Sequence, residues 1–198
     1  MQIMLSTRNR SKTDQIKALL TGLNVSVLSL ADLGVVGEAV EDGDTLEANA
    51  LKKAIFANQK TRMWSIADDT GFYIDALNGR PGIYAARWAG EGLSTEEIMR
   101  YTLDQLKDVP MDRRTGTFRT VAVVVTQTGW LKFDGSVKGT ILTEPRTACQ
   151  PNMPYSAIFV PDGQQKVWAE MSVEEENSIS HRGKAFSQVR NFLHQTLG

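Results

Sequence analysis

Apolar and polar positions along the chain change period several times, and each change marks an element. Ile3 to Ser6 is a short apolar strand. Ile16, Leu19, Leu20 and Leu23 then recur at helical spacing and predict a helix with one buried face. Val25 to Leu30 reads as a second strand, and the acidic, Gly-containing stretch Glu38 to Asp44 as a loop. Asp44 followed three residues later by Glu47 is the pattern of a reciprocal N-cap, so a helix should run from there to about Gln59. Met63 to Ala67 is a short apolar strand ending at Asp68-Asp69, and Phe72 to Leu77 alternates like an edge strand before the Asn78-Gly79 turn. Ser94 to Leu106 is a capped helix with Ile98, Met99, Leu103 and Leu106 inward. Phe118 to Thr126 is a β-branched core strand that turns at Thr128-Gly129 into a hairpin partner, Trp130 to Phe133. A further strand lies near Val137 to Leu142, a short apolar one at Ala157 to Val160, and a last helix over Gly183 to Leu197. Hairpins crowd the second half, so the expected class is α/β with a mixed sheet, not an all-parallel doubly wound fold.

Composition narrows the chemistry. A chain of 198 residues that is 41% hydrophobic fits one domain or two small lobes with a real core. No apolar run reaches the length of a membrane span, and the opening MQIMLS lacks a charged leader, so a cytoplasmic protein is expected. Cys149 is the single cysteine and His181 and His194 the only histidines, which argues against disulfides and zinc clusters. Any metal would be held by carboxylates, which favours magnesium, with manganese as an alternative. A net charge of -1 gives no sign of a nucleic-acid surface.

Four segments concentrate polar chemistry. Ser6 to Lys12 follows the first strand and opens a helix, a place that suits an anion. Thr7 and Asn9 can donate to phosphate oxygens, and Arg8, Arg10 and Lys12 supply charge; the Gly-rich phosphate loop is absent, and the same run also reads as a solvated helix start. Around the second helix, Asn49 and Lys53 share a face, with Glu47 on a neighbouring flank and Glu41 just ahead, a set that fits either a metal and phosphate site or a cap with surface charge. Asp68 and Asp69 end an apolar strand, where carboxylates serve as magnesium ligands or as turn formers; if the strand continues, the two point to opposite faces. Ser180-His181-Arg182-Gly183 precedes the last helix, and Arg182 can bind an oxyanion or a base edge with paired hydrogen bonds.

In this order and spacing the segments resemble the inosine triphosphate pyrophosphatase family, house-cleaning enzymes for non-standard purine nucleotides. The matching stretches are Leu5–Lys12 (LSTRNRSK), Glu41–Ala54 (EDGDTLEANALKKA), Ile66–Gly71 (IADDTG), Gly79–Gly90 (GRPGIYAARWAG), Ile158–Pro161 (IFVP), Glu170–Ser172 (EMS) and Ser180–Ala185 (SHRGKA). The resemblance implies a single domain over residues 1–198, with two lobes around a long mixed sheet, substrate in the cleft between them, and a homodimer. It implies that Thr7, Asn9, Lys12 and Lys53 bind the triphosphate and that Glu41 and Asp69 hold magnesium. Asp69 would be the base for the attacking water with Asp68 beside it, Thr70 would touch substrate, and His181 and Arg182 would contact the base. Attack on the α-phosphorus would release pyrophosphate from a nucleoside triphosphate such as ITP, dITP or XTP.

Two departures fall on the base side. Where the family has a Phe-Gly-Tyr/Trp-Asp-Pro run, this chain has Met153-Pro154-Tyr155-Ser156-Ala157; Tyr155 keeps a ring able to stack on a base. Glu176 stands where the family has a lysine, and an ionised carboxylate only accepts hydrogen bonds, so it should favour an amino or N–H group over a keto oxygen. Arg8, where the family often has Gly, adds charge near the phosphates. The expected outcome is triphosphate cleavage with an altered base preference. The alternatives are a nucleotide-binding sensor of the same fold without turnover, or a pyrophosphatase for a different, modified or amino-bearing base.

Overall fold

The computed structural model describes residues 1–197. The order is β1 (Gln2–Leu5), α1 (Arg10–Leu19), β2 (Ser26–Ser29), α2 (Leu46–Thr61), β3 (Trp64–Ile74), β4 (Pro81–Gly82), α3 (Thr95–Gln105), β5 (Thr115–Val125), β6 (Trp130–Ile141), β7 (Phe159–Pro161), α4 (Val173–Ile179) and α5 (His181–Leu197), with 3₁₀ turns between. The strands form a mixed sheet in the order β2-β1-β3-β5-β6-β7, with β4 on β3. β1 pairs parallel with β2 and β3, while β4 on β3 and β7 on β6 are antiparallel. The α/β class with a mixed sheet is as expected. Among the described residues no helix is long and apolar enough to cross a membrane.

The chain forms two compact units, the first being Met1–Thr70, Thr120–Gly135 and Ser180–Gly198, the second Gly71–Arg119 and Ser136–Ile179. In the first unit the period of two along each strand sorts side chains onto two helical layers. Ile3, Leu5, Ile66, Ala122 and Val124 pack with Ile16 of α1 and Ala185, Phe186 and Val189 of α5. The alternate residues Ala67, Val123 and Val125 pack with Ala50 and Ala54 of α2, and Met4 with Ala57. In the second unit the core is aromatic: Phe72 stacks on Phe118 at 4.1 Å, and Phe159 meets Phe118 edge-on at 4.8 Å. Arg114 is buried there and donates to the carbonyls of Leu106, Ile141 and Leu142, which satisfies a helix-end carbonyl of α3.

Several expectations are corrected. β3 does not end at Asp68-Asp69 but runs on to Ile74, so the separate edge strand Phe72 to Leu77 does not exist, and Asp75–Leu77 is a 3₁₀ turn. Asp is disfavoured in strands, which is why the pattern read as an end; here Ser65 to Asp69 are all buried and the carboxylates are paired. β6 is one strand of 12 residues, not two. Gly135 falls in the gap between the two expected strands and lies under α5, where a Cβ would sit 2.3 Å from the His181 carbonyl oxygen. The cap of α2 is Thr45, whose hydroxyl accepts from Ala48 N at 3.1 Å, while Glu47 is drawn to Lys132 at 2.8 Å. α4 adds a helix to the expected elements, and Ser172 and Glu175 form the reciprocal cap that announces it. α5 begins at His181, ahead of Gly183, because the Ser180 hydroxyl accepts from Gly183 N at 3.0 Å. The reciprocal cap of α3 is as expected, between Ser94 and Glu97.

Candidate functional site

The register of β1 on β3 builds the site. Leu5 pairs with Ile66, and Ser6 N donates to Ile66 O at 2.7 Å, so the loop leaving β1 runs beside Asp68 to Thr70. That loop ends at Asn9, the N-cap of α1, whose side-chain oxygen accepts from Lys12 N at 3.2 Å. Thr7 Oγ1 accepts from Asn9 N at 3.2 Å. The oxygen end of Asn9 therefore serves the cap, and its NH₂ end is the one suited to an anion.

Alternation along β3 splits the two adjacent carboxylates. Asp68 follows the parity of Ile66 and points toward α1 and α5; Asp69 follows Ala67 and points toward α2. On the first face, Lys12 Nζ donates to Asp68 Oδ2 at 3.0 Å, and Arg182 Nε lies 3.5 Å from the same oxygen. Thr70 Oγ1 also donates to it, at 3.3 Å, and is 2.7 Å from Thr120 Oγ1. Arg182 Nη1 donates to Gln15 Oε1 at 2.5 Å. Among the described residues Asp68 Oδ1 has no hydrogen-bond partner although it is buried. On the second face, Lys53 Nζ donates to Asp69 Oδ1 at 2.9 Å and to Glu41 Oε2 at 3.0 Å. Asn49 donates to Asp69 Oδ2 at 3.3 Å and accepts from Gly43 N at 2.8 Å, so one buried amide ties the acidic loop to the carboxylate. Ser6 Oγ donates to Lys53 O at 2.8 Å and joins the two faces through the backbone.

The charges set one another. Burial alone would raise the Asp68 carboxyl, but Lys12, Arg182 and Lys53 outweigh it and hold it well below the usual carboxylate range. Burial pulls the Lys12 ammonium below its usual value, with Asp68 opposing that. For Lys53 burial also acts downward, yet Asp69, Asp68 and Glu41 win and raise it. His181 is pushed well below its usual value by burial and by Arg182, which leaves a neutral imidazole at neutral pH.

Of the residues singled out in the sequence, the structure brings together Lys12, Asp68, Thr70 and Arg182 around one carboxylate, and Glu41, Lys53 and Asp69 around one ammonium. Arg8 goes elsewhere: it donates to Gly37 O at 2.7 Å and pairs with Glu38 at 3.3 Å, holding the acidic loop. Met153, Tyr155, Ser156 and Glu176 belong to the second unit. There the Tyr155 ring is 4.7 Å from Phe72 in the core, and its hydroxyl donates to Ala85 O at 2.8 Å. Ser156 Oγ donates to Met153 O and accepts from Gln150 N, and Glu176 is buried in the first turn of α4. Gln15 and Thr120 were missed. Neither carries a pattern of its own; only the partners Arg182, on Gln15, and Thr70, on Thr120, mark them.

Gly135 supports the site from below. Its missing Cβ makes room for the His181 carbonyl and for Ala185 N, 2.8 Å from where that carbon would lie. Backbone atoms cannot rotate away, so Gly135→Ala should cost about 1–3 kcal/mol. The cost would appear as a lower Tm in thermal unfolding, and nucleotide hydrolysis should fall with it because His181 and Arg182 start the displaced helix. An unchanged Tm would contradict this.

Comparison with known proteins agrees with this frame. A model of the Ham1 family matches residues 3–192. The chain is 39% identical over 197 residues to a protein named dITP/XTP pyrophosphatase from Thermoanaerobacter sp. (strain X514), covering 100% of this chain and 98% of that one. It is 38% identical to the protein of the same name from Geobacter sulfurreducens (strain ATCC 51573 / DSM 12127 / PCA), covering 97% and 96%. Among solved structures, a HAM1 protein from Coxiella burnetii superimposes with a TM-score of 0.87 at 30% identity, covering 98% of this chain and 99% of that one. The Staphylococcus aureus Ham1 protein does so with a TM-score of 0.85 at 29% identity, covering 99% and 100%. With the family model spanning nearly the whole chain, and relatives matched over nearly their full length, the chain belongs to the Ham1 family.

Proposed function

We propose that this protein is a nucleoside triphosphate pyrophosphohydrolase, converting a purine NTP and water to the NMP and pyrophosphate. One observation carries the reading: in a chain whose relatives are named dITP/XTP pyrophosphatases, Lys53 joins Glu41 and Asp69 on one face of β3 while Lys12 and Arg182 hold Asp68 on the other. The proposal takes residues 1–198 as a single domain of two lobes, and a homodimer as the assembly.

The residues fit a hard divalent cation. Two carboxylates converge on one point, Lys53 Nζ, with only oxygen donors, and magnesium uses one or two carboxylates beside substrate phosphates and water. Glu41 and Asp69 would hold it, and it would supply charge neutralisation on the phosphates and an acidified water. Thr7, the Asn9 NH₂, Lys12 and the N-terminus of α1 would bind the triphosphate. Lys53 would stabilise charge building on the phosphoryl oxygens. Asp69 would accept the proton of the attacking water at its carboxylate, and the bond from the α-phosphorus to the bridging oxygen would break toward pyrophosphate. Asp68 is a poor proton acceptor, because its neighbours hold it ionised, and acts instead by positioning Lys12 and Arg182. Thr70 and His181 would complete the substrate contacts.

On the base side the proposal is a preference shifted away from 6-keto purines, since Glu176, when ionised, offers only acceptors. The test is pyrophosphate release with magnesium from ITP, dITP, XTP, ATP, GTP, CTP and UTP. Release from purine triphosphates without dominance by ITP or XTP is expected, and Glu176→Lys should move preference toward them. ITP or XTP far ahead of every other substrate would overturn the shifted preference. No pyrophosphate from any of them would overturn the activity.

A further inference from the structure

The charges of the site are balanced among themselves: Glu41, Asp68 and Asp69 face Lys12, Lys53 and Arg182. Lys53 is central, because its ammonium lies within 3.0 Å of both Glu41 and Asp69. Two carboxylate oxygens that converge on one cation define a position that a second cation cannot share, since like charges at such distances repel strongly. We propose that Lys53 is an internal competitor for the metal, holding Glu41 and Asp69 together and leaving them only when a triphosphate gives its ammonium another anionic partner. Metal and triphosphate then enter as a pair, and neither binds well alone. This rests on the pyrophosphohydrolase reading for the identity of the pair.

The surroundings suit such an exchange. The Lys53 backbone is fixed by the bond from Ser6 Oγ to its carbonyl, so the change falls on the flexible side-chain stem. Asp69 keeps its bond from Asn49 when the ammonium leaves and stays in place. Lys12 on the other face makes the parallel exchange: a phosphate oxygen replaces Asp68 as its partner, while Asp68 retains Arg182 and Thr70.

The experiment is a titration of Mn²⁺ into the full-length protein without nucleotide, reading free Mn²⁺ by electron paramagnetic resonance. Lys53→Met should bind Mn²⁺ about tenfold or more tightly than wild type, because an adjacent positive charge is gone. Lys132→Met removes the same charge from the exposed pair with Glu47 and should stay within about threefold. Lys53→Arg, which keeps the charge, should remain near wild type. If Lys53→Met does not fold, Lys53→Gln carries the same expectation. A neutral variant at position 53 that binds Mn²⁺ no more tightly than Lys132→Met overturns the competition. If that happens while wild type still releases pyrophosphate, only the exchange falls. A wild type that releases none removes the activity, and the titration still decides whether Lys53 competes.

Discussion

Asp69→Asn should lower pyrophosphate release by about 10²- to 10⁴-fold, the range a positioned proton acceptor contributes, while nucleotide binding persists. The substitution is nearly isosteric. The amide oxygen can keep the bond from Asn49 or the one from Lys53, but its NH₂ end must then face the other donor. The change therefore removes the proton acceptor, one negative charge and part of the anchor for Lys53. Lys12, Asn9 and the start of α1 are untouched, so their contacts to the triphosphate survive and binding persists, weakened where it depends on Lys53 and the metal. Pyrophosphate release at saturating nucleotide, beside equilibrium binding of the same nucleotide, checks both halves. Retained turnover would move the base elsewhere. A wild type that binds nucleotides but releases no pyrophosphate would favour the sensor alternative.

Asp68→Ala should have the largest effect on stability. Arg182 and Asp68 have side chains only 5% and 1% exposed, so the variant leaves a buried guanidinium, and Lys12 beside it, without their carboxylate. Breaking one partner of a buried pair costs about 3–5 kcal/mol, a drop in Tm on the order of 10 °C for a chain of this size. The pH dependence carries a sign. Asp68 is depressed by Lys12 and Arg182, so its contribution is complete above the ordinary carboxylate value of about 4 and is lost as pH falls below it. His181 is depressed by burial; the unfolded chain takes up that proton first, so stability also declines below about pH 6.5. Thermal unfolding between pH 7 and 3 should show both declines in wild type, and Asp68→Ala should lose the lower one. A variant as stable as wild type at pH 7 would contradict the pairing.

Much of this was legible in the residues because period-two alternation and capping chemistry are local. That Asp68 and Asp69 face opposite ways follows from adjacency once the strand continues. What a sequence pattern cannot show is that it continues, since buried Asp is tolerated only through Lys12, Arg182 and Lys53, which come from distant segments. The continuity of β6 through Gly135 is hidden for the same reason: that glycine's role is set by α5, almost 50 positions along the chain. The α4 cap is legible as Ser172 and Glu175, the same reciprocal pattern that marks the start of α3. Gln15 and Thr120 carry no motif, and only their partners mark them. Arg8 shows the limit of charge counting, because its nearest anion is Glu38 and its nearest acceptor the Gly37 carbonyl.

Hydrolysis in H₂¹⁸O shows which phosphorus the water attacks. With magnesium and the best purine triphosphate of the panel, mass spectrometry of both products should place one ¹⁸O in the nucleoside monophosphate and none in the pyrophosphate. Label in the pyrophosphate, or nucleoside diphosphate formed with labelled orthophosphate, would place the attack at the β- or γ-phosphorus and rule out α-phosphorus cleavage.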